Sequence, residues 1–230
     1  PYSETSKIIQ ILTEEGTISL MAKGARGLKS NLRIGTMKLT KGIFCINRKP
    51  DKLSLLSGVD VQNEFKNIRK DIYKISYATF IVELSEQVIR QNNNPEIYHI
   101  LASSLRKIEE GFDASIITSI LELKFLDFLG VMPIIDMCCV CGAKTGIATL
   151  SSSRGGYICK NCVTNELIVS EKTIKLIRMF YYVDISKISN LEISNQSKKE
   201  ISDFLDEYYD RYTGLFLKSK SLLKNLNKVG

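Results

Sequence analysis

Four cysteines, Cys138, Cys141, Cys159 and Cys162, constrain the fold of this chain more than any other feature. They run C-x2-C, a seventeen-residue spacer, then a second C-x2-C. Two knuckles so spaced can place four thiolates around one tetrahedral Zn2+ ion. The segment of about 136–165 must then fold back on itself to bring the second pair to the first. A cage closed by four protein sulfurs leaves no position for water or substrate, so such a metal is structural and the chemistry of the chain lies elsewhere. Gly142 suits the tight turn that aims backbone N–H groups at sulfur. Cys139 competes with Cys138, but Cys139-x-Cys141 is one residue short of a knuckle, so Cys138 is taken as the ligand. Cys45 lies in an alternating run and reads as a core residue. Disulfides and free thiols are the alternatives. A chain of 230 residues can bury a core without disulfide staples, and close pairing favours metal in a reducing compartment, hence the cytoplasm. The insertion is then expected to be ordered only with metal bound.

Charge is distributed unevenly. Residues 1–70 carry thirteen Lys and Arg against six acids, while the other 160 residues carry nineteen of each. The whole net charge of +7 therefore sits in the first third, a field that gathers polyanions such as nucleic acid; a merely solvated surface is the bland alternative. No apolar run reaches the roughly 18 residues that span a bilayer, and no signal peptide is visible, so no membrane partner is expected.

The spacing predicts an α+β chain. Strands are expected over Lys7–Thr13, Thr17–Ala22, Met37–Asn47 and Leu53–Val61, with turns at Glu14-Glu15-Gly16 and at Arg48 to Lys52. Four short strands with tight turns suggest a small β-barrel of the OB type. Helical periodicity takes over near Phe65 and predicts helices over about 67–91, from Asn94-Pro95 to Gly111, from Asp113 through 114–129, from Ser170 to about Tyr182, over about 198–212 behind a Ser197/Glu200 capping box, and from Leu215 to Leu226. The domains expected are 1–66, a nucleic-acid-binding barrel, and 67–230, helical with the zinc insertion.

The nucleic-acid candidates are Lys23, Arg26, Lys29 and Arg33, spaced by Gly and Ser in a loop between strands, and Lys38 beyond them. Flexible cationic loops hold phosphates and give affinity without sequence preference. Gly24 and Gly27 do not make a nucleotide loop, for there is no G-x-x-x-x-G-K-[ST] and no βαβ unit. Only Tyr2, Phe44 and Phe65 are aromatic in residues 1–70, so little base stacking is expected. Catalysis has little support: His99 is the only histidine, no carboxylate set stands out, and no small-molecule substrate is expected. Tyr181-Tyr182 and Tyr208-Tyr209 read as packing residues. The last helix presents Lys218, Lys220 and Lys224 beside Phe216, Leu217, Leu222 and Leu223, either as a dock for an acidic peptide with an apolar tip or as an ordinary amphipathic surface.

Pro1-Tyr-Ser-Glu-Thr-Ser6, Leu12-Thr-Glu-Glu-Gly16, Ala22-Lys-Gly-Ala-Arg26, Lys29-Ser30, Leu126-Asp-Phe-Leu-Gly130 and Leu217-Lys-Ser-Lys220 resemble the bacterial RecO family of recombination mediators, over nearly the whole chain. The resemblance implies an N-terminal OB-fold, a helical C-terminal domain and a four-cysteine zinc module. It implies binding and annealing of single- and double-stranded DNA, partnership with RecR, contact with the C-terminal tail of single-stranded-DNA-binding protein, and help in loading RecA. It also implies a further β-strand ahead of Pro1, without which the barrel would expose an edge. Two other readings compete: a zinc-ribbon interaction adaptor with incidental basicity, and a zinc-ribbon enzyme, which would need a dinucleotide-binding unit and a suitable histidine that the sequence does not display.

Overall fold

Two hydrophobic cores of unequal size organise the chain in the computed structural model, which describes residues 4–49 and 53–226. The smaller lies in a sheet. Strands β1 (Lys7–Thr13) and β2 (Gly16–Ala22) form a hairpin that pairs Lys7 with Ala22 and Thr13 with Gly16. Gly16 takes φ +114°, a turn conformation closed to most side chains. Strands β3 (Lys41–Asn47) and β4 (Ser54–Asn63) are antiparallel, and β4 meets β2 in parallel at Leu20–Ser54 and Met21–Leu55. The order is β1-β2-β4-β3. An OB-fold is a five-stranded, partly open barrel; the four described strands leave β1 and β3 as edges lining one cleft of about 1630 Å³. Ile11, Leu20, Ala22, Ala25 and Leu56 form the buried centre. A short helix α1 (Leu32–Gly35) lies so close to β4 that a Cβ on Gly35 would come within 2.6 Å of Val59.

The sheet departs from expectation in two places. β3 starts at Lys41, not Met37, because Leu39 adopts φ +54° and breaks the extended run. Cys45 is exposed rather than core: β3 alternates as expected, but Phe44 and Ile46 turn inward, so Cys45 points to solvent with Ile43.

The larger core is helical. The expected 67–91 helix is two: α2 (Lys66–Arg69) and α3 (Ile72–Gln91), separated where Asp71 caps α3 by accepting from the Tyr73 and Lys74 amides. Helix α4 (Pro95–Glu110) opens on the Asn94 cap and ends at Gly111 with φ +105°. Helix α5 (Ala114–Phe128), capped by Asp113, is buried on most of its circumference, and Ile117, Ile120, Leu121, Leu123, Phe125 and Leu126 are fully enclosed by α3, α4, α6 (Glu171–Tyr182) and α7 (Asn195–Tyr212). Burial of one such side chain stabilises the fold by about 1.5–3 kcal/mol, which makes α5 the axis of this half. Helix α7 starts three residues earlier than expected. Ser194 accepts from the Ser197 amide at 3.2 Å and is the cap, while Ser197 is buried in the first turn. Helix α8 (Lys218–Leu226) packs on α3. Tyr208 and Tyr209 are packing residues as expected, but Tyr182 is 61% exposed.

Three helices draw their N-terminal partner from another helix. Glu83 of α3 accepts from the Lys218 and Ser219 amides, both at 2.9 Å, and from the Ser219 hydroxyl, which together hold its carboxyl below the usual range against the opposing effect of burial. Glu109 of α4 accepts from the Asn67 and Ile68 amides in the first turn of α2. Glu200 of α7 accepts from the Ser170 amide and the Thr173 hydroxyl at the start of α6. Each carboxylate satisfies orphan N–H groups and the positive end of a helix dipole.

Candidate nucleic-acid interface and metal centre

The cysteine module is inserted between α5 and α6. Its frame is a hairpin of β5 (Ile147–Ser151) and β6 (Gly156–Cys159), with Ile134 bridging to Gly156. A Cβ on Gly156 would come within 2.2 Å of the Ile134 carbonyl oxygen, so only glycine fits there. Tyr157 is buried and donates its hydroxyl to the Ile174 carbonyl, which ties the hairpin to α6.

Two turns carry the sulfurs. In the first, the Gly142 amide bonds the Cys138 carbonyl at 2.9 Å and the Cys138 amide bonds the Ala143 carbonyl at 2.8 Å, with Gly142 at φ +74°. In the second, the Cys162 amide bonds the Cys159 carbonyl at 2.9 Å. The sulfurs of Cys138, Cys141, Cys159 and Cys162 all lie within 4.8 Å of one another, and those of Cys141 and Cys159 are 3.6 Å apart. Ligands at about 2.3 Å around a tetrahedral ion would stand roughly 3.8 Å apart. Burial opposes ionisation of Cys138, but the backbone amides of Cys159, Cys141 and Val140 outweigh it and bring its thiol down to about 6. Cys162 is pushed up to about 12, first by its sulfur contacts with Cys141 and Cys159. Four thiolates within 4.8 Å of one another would repel, and a cation at their centre offsets that repulsion. The donor set fits a metal ion. Cys139 stays outside: its amide bonds the Tyr157 carbonyl at 2.8 Å.

The basic segment is folded rather than flexible. Ala25 is fully buried, the Arg26 amide bonds the Thr5 carbonyl at 2.9 Å, and amides of Gly27, Ser30 and Arg33 bond carbonyls three residues earlier. Lys23, Arg26, Lys29, Arg33 and Lys38 are exposed, and none forms an ion pair with a described residue. Arg26 and Lys38 line the cleft between the β1 and β3 edges, together with Lys7 and Lys41; Lys23, Lys29 and Arg33 lie outside that lining. Of the aromatic candidates, Phe65 is buried in the helical core and Phe44 packs inside the sheet, while Tyr2 lies outside the described residues.

One cation of the first seventy residues has a different task, which the sequence did not signal. Arg69 donates from Nε to the Glu64 carbonyl at 2.5 Å, and its Nη2 faces the Lys38 carbonyl at 2.6 Å and the Leu39 carbonyl and Thr40 Oγ1 at 2.9 Å.

The lysines of α8 part company. Lys218 is exposed at the helix start. Lys220 is held by Asp206 at 3.1 Å and Asp210 at 2.7 Å; these contacts raise its pKa although burial acts the other way. The side chain of Lys224 lies outside the described residues. Near Lys220, Glu122 of α5 is 9% exposed, and burial first, then Asp206, pushes its carboxyl up to about 8. His99 stands 3.9 Å from Glu14 with no nucleophile beside it among the contacts described. Among the described residues no helix is long and apolar enough to cross a membrane.

The comparisons with known proteins agree with this layout. The family model "Recombination protein O N terminal" matches residues 1–65, and "Recombination protein O C terminal" matches residues 69–221. Proteins named DNA repair protein RecO are similar along their length. That of Listeria monocytogenes is 34% identical over 99% of this chain and 91% of its own. That of Bacillus pumilus is 35% identical over the same shares, and that of Bacillus cytotoxicus is 34% identical over 99% and 93%. With sheet, helices and cysteine module all inside the matched span, this chain belongs to the RecO family.

Proposed function

We propose that this chain is a non-enzymatic, cytoplasmic mediator of DNA repair and recombination, which binds single- and double-stranded DNA, anneals complementary strands and, with RecR, helps load RecA onto strands coated by single-stranded-DNA-binding protein. The observation that carries the reading is the set of exposed, unpaired cations Lys23, Arg26, Lys29, Arg33 and Lys38 on folded turns at the sheet. Fixed cations lower the repulsion between two phosphate backbones, so pairing can begin. With Phe44 and Phe65 turned inward, stacking adds little and binding tolerates any sequence. Residues 1–66 act as the DNA-binding domain and 67–230 as the helical domain. The metal is structural zinc, chosen by four thiolates, and it braces the module without taking part in chemistry.

The tail of single-stranded-DNA-binding protein is acidic with an apolar tip, which suits α8. Because Asp206 and Asp210 hold Lys220, attraction at the described start of that helix falls to Lys218. Strand annealing by the purified chain across a salt series tests the proposal. Four or five neutralised phosphates give a log–log binding slope of roughly −3 to −4.5. A flat titration, or annealing that ignores charge reversal at Arg26 and Lys29, would leave the adaptor reading instead.

A further inference from the structure

Arg69 sits at the joint between sheet and helices. Its guanidinium faces four acceptors, three of them on residues 38–40 and the fourth on Glu64. A planar fork can serve such a set; an ammonium cannot span it. Leu39, at φ +54°, and Phe65, at φ +50°, are the two described non-glycine residues with positive φ, and they lie on the two segments that this fork joins. Such conformations persist only where the surroundings over-determine them. The Phe65 amide is fixed by Asn63 Oδ1 at 2.7 Å and its ring is buried; Leu39 packs against the helical core. Lys38, next to Leu39, is exposed and borders the cleft.

We infer that Arg69 is a positioning residue for DNA binding: it fixes the 36–40 turn and so sets where the Lys38 ammonium meets phosphate, without contacting phosphate itself. The inference rests on the DNA-binding reading above. The test measures salt-dependent binding of a fluorescent oligodeoxythymidine to the full chain. It compares wild type, Lys38→Ala, Arg69→Lys, Arg69→Ala and the double Lys38→Ala/Arg69→Ala. Lys38→Ala should reduce the slope by roughly 0.7–0.9, one phosphate contact. Arg69→Lys, which keeps the charge, should reduce it equally, and the double variant should lose no more than either single. A wild-type slope in Arg69→Lys, or an additive loss in the double variant, overturns the inference and makes Arg69 a phosphate ligand. Should Arg69→Ala fail to fold, Arg69→Lys decides.

Hydrogen exchange without DNA gives an independent readout. Arg69→Lys should speed exchange across the 36–41 turn about ten-fold, as local opening becomes easier; unchanged protection overturns the inference. A wild-type titration flat in salt would instead strike down the DNA-binding reading and the role of Lys38, while the exchange experiment would still report the latch.

Discussion

Lys29 and Lys220 both lie in short polar stretches punctuated by Ser, and they end in opposite environments. Lys29 stands in water with no acid beside it. Lys220 is drawn against α7 by two aspartates and keeps 15% of its side-chain exposure. The contrast holds across the two regions. In the sheet the ion pairs are long and wet: Arg48–Glu15 at 3.9 Å has both side chains about four-fifths exposed, which contributes little. In the helical half, Lys198–Asp113, Arg154–Glu166 and Arg178–Asp136 tie separate elements together. A surplus of charge in the first third of the sequence thus becomes a surface of available cations, whereas the balanced charges of the rest pair with one another, some along one helix and some between elements.

The largest effect that would sharpen this contrast is metal removal. Structural zinc contributes on the order of 10–16 kcal/mol to a small module. Chelation should abolish hydrogen-exchange protection over 136–165 and leave β1–β4 protected; loss in both regions together would mean that the halves are not separable. The acids of the helical half supply the next test. The folded-state pKa of Glu122 is raised to about 8, so folding favours its protonated form. That stability is complete below the unfolded value of about 4.5 and is lost as pH rises towards about 8. The thermal midpoint of wild type should therefore fall over this window by more than that of Glu122→Gln; parallel curves would refute it.

Smaller still, Lys220→Ala should lower unfolding free energy by about 1 kcal/mol in urea, because the partly exposed Asp206 and Asp210 lose their shared partner. Its salt slope with DNA should match wild type; a shallower slope would place Lys220 among the phosphate contacts. Reversal at Arg26 and Lys29 should do the opposite. Binding at 0.1 M salt weakens by roughly 25- to 60-fold from two lost contacts, with the thermal midpoint unchanged. A midpoint that drops would show these side chains to be structural.

What could be read in advance follows one rule. Features set by residues close in sequence were legible: the cysteine knuckles, the Asn94-Pro95 and Asp113 helix starts, and the two-residue alternation of β3. Features set by distant partners were not. The Ser197/Glu200 pair has the capping-box spacing, yet Glu200 serves Ser170 and Thr173 of α6, so the cap passes to Ser194. Alternation said that Cys45 and Phe44 face opposite ways, but not which way is in; apolar Ile43 on the outer face removed the cue. Arg69 counted as one more free cation because its acceptors are uncharged, three backbone carbonyls and the Thr40 hydroxyl, and all but the Glu64 carbonyl lie about thirty residues upstream, which no charge pattern reveals. The partners of Lys220 lie ten and fourteen residues back across a turn, outside any helical period.

The carboxylates of Glu83, Glu109 and Glu200 have a bearing on how the molecule comes apart. Helices α8 and α2 begin on an acid that their own segments do not carry, so neither start is complete until its neighbour is in place, whereas α6 has its own Ser170 cap and Glu200 adds to it. A synthetic peptide of residues 215–226 would be coil in water, and a chain cut before Lys218 would strand Glu83 on α3 with nothing to bind. Denaturation of the helical half should accordingly run as a single event, with no helix melting off alone.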